Sequence, residues 1–357
     1  MLKKNILFYF LLIIMVLVFS GCVNISGKKQ NDISAIDGGV FKTVNKGQTW
    51  SQKNLIPTNT GKPRTLASGN YSVLEIDPND HNAIYYGAVG NGLFYTYDGG
   101  NNWSQAAGLG NITVRAIDID KNDKCNIFAA GTNRVFRTTD CSRAWERVYV
   151  DNQALALVDA VLIDHFDGNN IFITVSRGDL IKSVDQGDSW QTIYRFKKKI
   201  TKLEMDPADS RVMYAIIDGS AIYKSIDSGF SWERFDEALK EFKLESIVRE
   251  ILLFKENPKL IFIATQKGIL RSNDSGGTWS QIELIPPEKN AAVESVAVNP
   301  QNAQEIYYIS GNTFYRSIDG GENWIPSKIN TTRTGKKLIV DPVDPRIIYL
   351  GVWRQVK

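Results

Sequence analysis

The chain has few of the side chains that bind metals or act as nucleophiles. Its 357 residues include three cysteines and two histidines, His81 and His165. Neither their number nor their spacing makes a Cys/His metal cluster, so no metal and no cofactor is expected. Net charge is also missing. The formal balance is +3, and once residues 1–21 with Lys3 and Lys4 are set aside, 40 basic residues face 39 acidic ones. A near-neutral chain carries no electrostatic footprint for nucleic acid. Only one long apolar run is present, the 14 residues from Ile6 to Phe19. That falls short of the roughly 20 residues that span a bilayer.

Tryptophan, by contrast, is plentiful and ordered. Seven of the eight tryptophans close one octapeptide pattern, Ser/Thr-x-Asp-x-Gly-x-x-Trp. Intact copies carry Asp98 and Trp103, Asp185 and Trp190, Asp227 and Trp232, Asp274 and Trp279, and Asp319 and Trp324. Two copies are degraded. The one with Asp140 and Trp145 has Ser142 in place of Gly, and the one ending at Trp50 has Asn45 in place of Asp. The Trp-to-Trp spacings are 53, 42, 45, 42, 47 and 45 residues. A period of about 40–50 with strand-like flanks marks propeller blades.

Turn chemistry explains the residue types. The Asp accepts hydrogen bonds from backbone amides a few residues on, which closes a turn. Gly takes a backbone shape that costs other residues more. The Trp starts the next strand and brings about 150–250 Å² of mostly apolar surface, or about 4–6 kcal/mol of gross burial as an upper bound. The box therefore reads as a structural staple.

Each repeat reads as four short strands. In the repeat ending at Trp145 these are residues 114–120, 126–131, 135–139 and 144–150. Asp-Pro turns follow the first strand at Asp77-Pro78, Asp206-Pro207 and Asp341-Pro342, with Asn299-Pro300 a variant; Pro fixes such a turn and is unwelcome within a central strand. The last segment supplies strands 1 and 2 without a box, and the first supplies strands 3 and 4 with nothing before them. The fold expected is all-β: a single seven-bladed β-propeller of four-stranded blades, closed by C-terminal strands 1 and 2 pairing with N-terminal strands 3 and 4.

Ahead of the blades, Lys3 and Lys4, the apolar run and Ser20-Gly21-Cys22 read as a signal peptide. The small residues before Cys22 resemble the bacterial lipoprotein cleavage box, with Phe19 where Leu is usual. That resemblance implies a lipid on Cys22. The expected organisation is thus a lipoprotein signal peptide at 1–21, a lipidated polar tether at 22–35 and the propeller at 36–357. The protein would be exported and anchored on the extracytoplasmic side of a bacterial membrane. Cys125 and Cys141 fall on neighbouring strands of one hairpin, and a disulfide between them is expected in an exported protein.

Boxes and Asp-Pro turns share one face of such a ring. Stepping back five residues from each first-to-second-strand turn gives one residue per blade near the opposite mouth: Ser72, Arg115, Asp159, Thr201, Arg249, Glu294 and Lys336. Adjoining turns add Arg134, Arg177, Lys267, Trp353 and Arg354. The ligand-binding candidates are Arg115, Arg249, Lys336, Arg177, Trp353 and Arg354; as catalytic candidates only Asp159 and Glu294 stand out. Such a ring can hold an anionic or sugar ligand, or pair internally as a solvated charge ring. Insertions at 54–70, 236–249 (with a short helix around Leu239, Phe242 and Leu244) and 284–292 open toward the same face.

The boxes resemble those of the Asp-box (BNR-repeat) propellers. That superfamily includes sialidases, two-propeller xyloglucanases, the sortilin ectodomain and the photosystem II assembly-factor family. The resemblance covers about residues 36–357 and is specific for fold, not activity. Sialidases also carry an Arg-Ile-Pro element, which is absent here. Glycoside hydrolysis requires two carboxyls about 5–9.5 Å apart, whereas Asp159 and Glu294 belong to blades three apart. The plan is closest to exported single-propeller proteins of the photosystem II assembly-factor or sortilin type. The resemblance implies a non-catalytic, membrane-anchored binding scaffold with a protein or polysaccharide partner, assisting envelope or membrane-complex assembly. The alternative is a glycoside hydrolase or carbohydrate-binding surface protein.

Overall fold

The computed structural model describes residues 37–285 and 292–354. Seven antiparallel four-stranded sheets follow one another along the chain. Their first strands are Tyr71–Asp77, Val114–Ile119, Val158–Ile163, Ile200–Asp206, Val248–Leu253, Val293–Asn299 and Thr334–Val340; the sheets are numbered blades 1 to 7 in that order. Together they form a seven-bladed β-propeller. Blade 7 joins the two ends of the described chain. Its strands Thr334–Val340 and Ile348–Trp353 pair with Val40–Thr43 and Ser51–Gln52, with Phe41 opposite Leu350. The expected mode of closure is the one observed.

The core is a set of seven seams. Seven apolar clusters each join two neighbouring blades, for example Tyr85, Ile117, Ile127 and Phe136 between blades 1 and 2. Second strands are the most deeply buried, as in Ile127–Gly131 and Ile171–Val175, where every residue is buried. Apolar side chains on both faces of a strand suit a sheet covered on both sides. The closing seam has an additional clamp. Arg333, 2% exposed, contacts Asp37 and donates to the carbonyls of Gly69 and Ala67 at 2.8 and 3.0 Å. The Thr332 amide donates to the same Asp37 carboxylate at 2.6 Å.

The boxes connect third to fourth strands and lie on the face of the Asp-Pro turns, here called the lower face. In the copy carrying Asp319, the Ser317 hydroxyl donates to the Asp319 carboxylate at 2.7 Å and accepts the Gly321 amide at 2.8 Å. The carboxylate then accepts both the backbone and side-chain N–H groups of Asn323. Two consecutive box residues adopt left-handed backbone, Gly320 at φ 79° and Gly321 at φ 100°. Burial of the tryptophans is less complete than expected. Trp103 and Trp145 are buried, whereas the other five are half-exposed. Three of the seven clasp seams: the indoles of Trp103, Trp190 and Trp324 donate to the carbonyls of Lys53, Val148 and Glu283, in or one residue past the outer strand of the preceding blade.

Blade 2 departs from the pattern. In the other six blades the residue after the box Asp or Asn donates its amide to a carbonyl at the start of the second strand or just before it, as Gln186 does to Asn169 and Gly320 to Gln304. In blade 2 those two positions are Cys141 and Cys125, and they are joined by a disulfide with Cα atoms 4.1 Å apart. Ser142, in the glycine position, holds φ 67°. A covalent link therefore stands where the backbone hydrogen bond stands elsewhere.

Among the described residues the single helix is Glu237–Glu241, within the insertion where a short helix is expected. The insertion at 54–70 holds an unforeseen two-stranded hairpin, Leu55–Ile56 with Arg64–Thr65. No helix among the described residues is long and apolar enough to cross a membrane. The signal peptide, the tether with Cys22 and most of the 284–292 insertion lie outside the described residues.

Candidate functional site: the central channel and its upper rim

The first strands of all seven blades line a central cavity of about 590 Å³. Each of these strands contains a β-bulge at one position. In blade 1, Tyr71 pairs with Ala88 and Val73 with Gly87, which leaves Ser72 unpaired. The same skip falls on Arg115, Asp159, Thr201, Arg249, Glu294 and Lys336. These are the seven rim residues singled out from the sequence. A bulge re-aims the side chain it carries and bends the strand, so each blade offers one irregular residue at the upper mouth.

The rim residues pair with one another. Arg115 and Lys199 both contact Asp159 Oδ1, at 2.8 and 3.0 Å. Arg249 and Lys336 both contact Glu294 Oε2, at 3.2 and 2.7 Å. Each carboxylate is thus shared by two cations, leaving each trio one positive charge in excess. Asp159 and Glu294 are not brought together. Ser72, Arg115, Asp159 and Thr201 line the cavity, whereas Arg249, Glu294 and Lys336 do not.

The remaining candidates scatter. Arg177 is drawn into Asp151 and Asp179, both buried, so its guanidinium organises the loop entering blade 3. Lys267 donates to the Glu245 carbonyl at 3.1 Å. Arg134 begins the third strand of blade 2 and is exposed. Trp353 ends the second strand of blade 7, half-buried, and the Arg354 amide donates to Asn70.

Below the rim lies a second set of ionisable groups that the sequence reading missed. The cavity is also lined by Glu75, Asp118, Lys202, Glu204, Glu250 and Lys337. They sit one and three residues beyond the bulge. A bulge resets the alternation of faces, so the rim residue and its successor can both serve the channel. In blades 5 to 7 these groups satisfy one another. Lys337 Nζ lies 2.7 Å from Glu250, which also accepts the Val296 amide, and Ser295 accepts the Leu338 amide. Burial pulls Lys337 down, but Glu250 overrides it and holds the ammonium above its usual range.

Blades 1 to 4 are different. Asp118 accepts the amides of Ile119 and Ile163 at 3.0 and 2.7 Å, yet burial pushes its carboxyl up to about 7. Glu75 has only charge interactions around it, and burial pushes it up to about 8 against the pull of Lys337. Burial likewise raises Glu204 and lowers Lys202. At the lower mouth, burial followed by repulsion from Lys121 and Lys255 holds His165 neutral, down to about 3. Among the described residues no group of three or more His, Cys, Asp or Glu is placed to hold a metal ion.

No known protein-domain family matches the sequence. A xyloglucanase of Acetivibrio thermocellus is 22% identical over 395 residues, covering 90% of this chain and 42% of that enzyme. The chain thus spans less than half the length of the curated relative it matches. Among solved structures, the GH74 xyloglucanase of Xanthomonas campestris superposes with a TM-score of 0.67 at 16% identity, over 80% of this chain and 51% of that one. YCF48 bound to a D1 peptide superposes at 0.61 and 16% identity, over 84% of this chain and 95% of that one. These likenesses establish a shared propeller fold.

Proposed function

We propose that the protein is a non-catalytic binding propeller, exported and lipid-anchored at Cys22, that recognises a protein or polymer partner on its upper face. The observation that carries this reading is the state of the rim carboxylates. Asp159 and Glu294 sit in two separate ion-paired clusters, each tied to its own two cations, so they do not form the facing carboxyl pair that glycoside hydrolysis uses. The bulged rim and the insertions at 54–70 and 236–249 instead offer an irregular surface on a rigid scaffold, where recognition commonly resides. The likeness to YCF48 bound to a D1 peptide supports a peptide-bearing partner.

The test is affinity capture from a solubilised envelope fraction with Arg115→Ala/Arg249→Ala beside the unaltered chain. Loss of a specifically retained partner is expected, and unchanged recovery contradicts the assignment to this face. For the anchor, Cys22→Ser is expected to move the protein from the membrane fraction to the soluble one.

A second reading, polysaccharide binding or hydrolysis, is favoured by the xyloglucanase match along 90% of the chain. Incubation with β-glucans and sialosides decides it. Product release that disappears in Asp159→Asn or Glu294→Gln replaces the first reading with the second.

A further inference from the structure

The hairpin within the 54–70 insertion walls a pocket away from the channel. Ile56 and Leu66 are buried in one cluster with Ala88 and Phe94 of blade 1, and the Trp103 amide donates to the Leu55 carbonyl at 2.8 Å. The hairpin is thus pinned against blade 1. A cavity of about 180 Å³ remains between it, the turn at Asn91 and the link to blade 2 at Asn111. The polar lining is lopsided. It has one guanidinium, that of Arg64, with carboxamides and hydroxyls, and no acidic side chain. Unlike Arg115, Arg177 and Arg249, Arg64 contacts no carboxylate among the described residues. Two of the carboxamides are held in place. Gln105 Nε2 donates to the Asn91 carbonyl and Asn91 Nδ2 to the Val89 carbonyl, both at 3.2 Å. Each nitrogen is occupied, and each carboxamide oxygen is left without a donor among the described residues.

We propose that this pocket binds a sugar acid, a single ring that carries a carboxylate and hydroxyl groups. Arg64 takes the carboxylate, because the planar guanidinium fork matches its two oxygens. Asn91 and Gln105 accept from the hydroxyls through their carboxamide oxygens. The lining disfavours other classes. A cation meets Arg64 and finds no carboxylate, and an apolar ligand leaves the polar groups unpaired. Size agrees as well. At about 180 Å³ the cavity is smaller than the roughly 300 Å³ from which pockets take drug-sized ligands, which suits one ring. The pocket extends the upper-face surface of the proposed function but shares no residue with the rim, so the two assignments can fail separately.

Isothermal titration of the full chain with sodium glucuronate and sodium galacturonate, at fixed ionic strength, tests the proposal, with glucose and sodium acetate as controls. Saturable one-to-one binding is expected for at least one uronate. Glucose lacks the carboxylate and acetate lacks the hydroxyls, so each is expected to bind about tenfold more weakly or less. Arg64→Met, at an exposed position and checked by thermal melting, is expected to weaken uronate binding about tenfold or more, as loss of a charged hydrogen bond implies. Arg115→Ala/Arg249→Ala is expected to retain it. The proposal is overturned by absence of saturation with both uronates, by glucose or acetate binding as tightly as they do, or by undiminished binding to Arg64→Met.

Discussion

The lower-face boxes and the central channel hold the same carboxyl chemistry in opposite states. In the boxes, the Asn323 amide, the Asn323 side chain and the Ser317 hydroxyl hold Asp319 down to about 2. Asp185 and Asp274 are likewise held at about 2, first by Ser189 and Thr278. On the channel side of blades 1 and 2, burial outweighs the partners of Glu75 and Asp118, which rise to about 8 and 7. The boxes recur and satisfy themselves within eight residues. The channel groups do not recur from blade to blade, and half of them are left wanting. Where the sequence repeats, the residues hold the ring together; where it diverges, they are free to recognise something.

Perturbing the ring is therefore expected to cost stability, and perturbing the rim to cost recognition. The largest loss is expected for Arg333→Met. Removing one partner of a buried pair costs about 3–5 kcal/mol, and the closing seam loses its clamp with it, which a urea titration measures. Cys125→Ser/Cys141→Ser follows. The disulfide closes a separation of 16 residues, and a loop of that size corresponds to about 3 kcal/mol in the chain-entropy account. Ser317→Ala leaves one buried amide and one carboxylate oxygen short of a partner, at about 1–3 kcal/mol. Smallest is Arg115→Ala/Arg249→Ala. Lys199 and Lys336 still reach Asp159 and Glu294, so stability is expected to stay within about 1 kcal/mol of the unaltered chain. A rim variant that melted like Arg333→Met would erase the contrast.

The blades were legible because the box is local: one Ser or Thr, one Asp, one Gly and one Trp specify a turn without help from elsewhere. The closure followed from phasing those turns against the first and last strands. The rim residues were placed by counting from the Asp-Pro turns, though not the bulge that presents them. What stayed hidden depends on neighbours far along the chain. Arg333 meets Asp37 across the closing seam, and Asp118 and Glu250 cap amides of the next blade. Strict alternation also assigns Glu250 and Lys337 to the face opposite Arg249 and Lys336, and only the bulge reverses this.

The two carboxyl populations bear on stability with opposite sign. A box Asp depressed to about 2 stabilises the fold above its unfolded value near 4, and that contribution is lost as pH falls toward 2. Glu75, raised to about 8, binds more protons folded than unfolded, so its contribution falls as pH rises from about 4.5 to about 8. The most direct measurement is a side-chain carboxyl NMR titration of the ¹³C-labelled chain, with Glu75→Gln and Ser317→Ala used for assignment. The account predicts a Glu75 midpoint near 8 and an Asp319 midpoint near 2. A Glu75 that titrates in the ordinary carboxylate range, alongside the boxes, would contradict it.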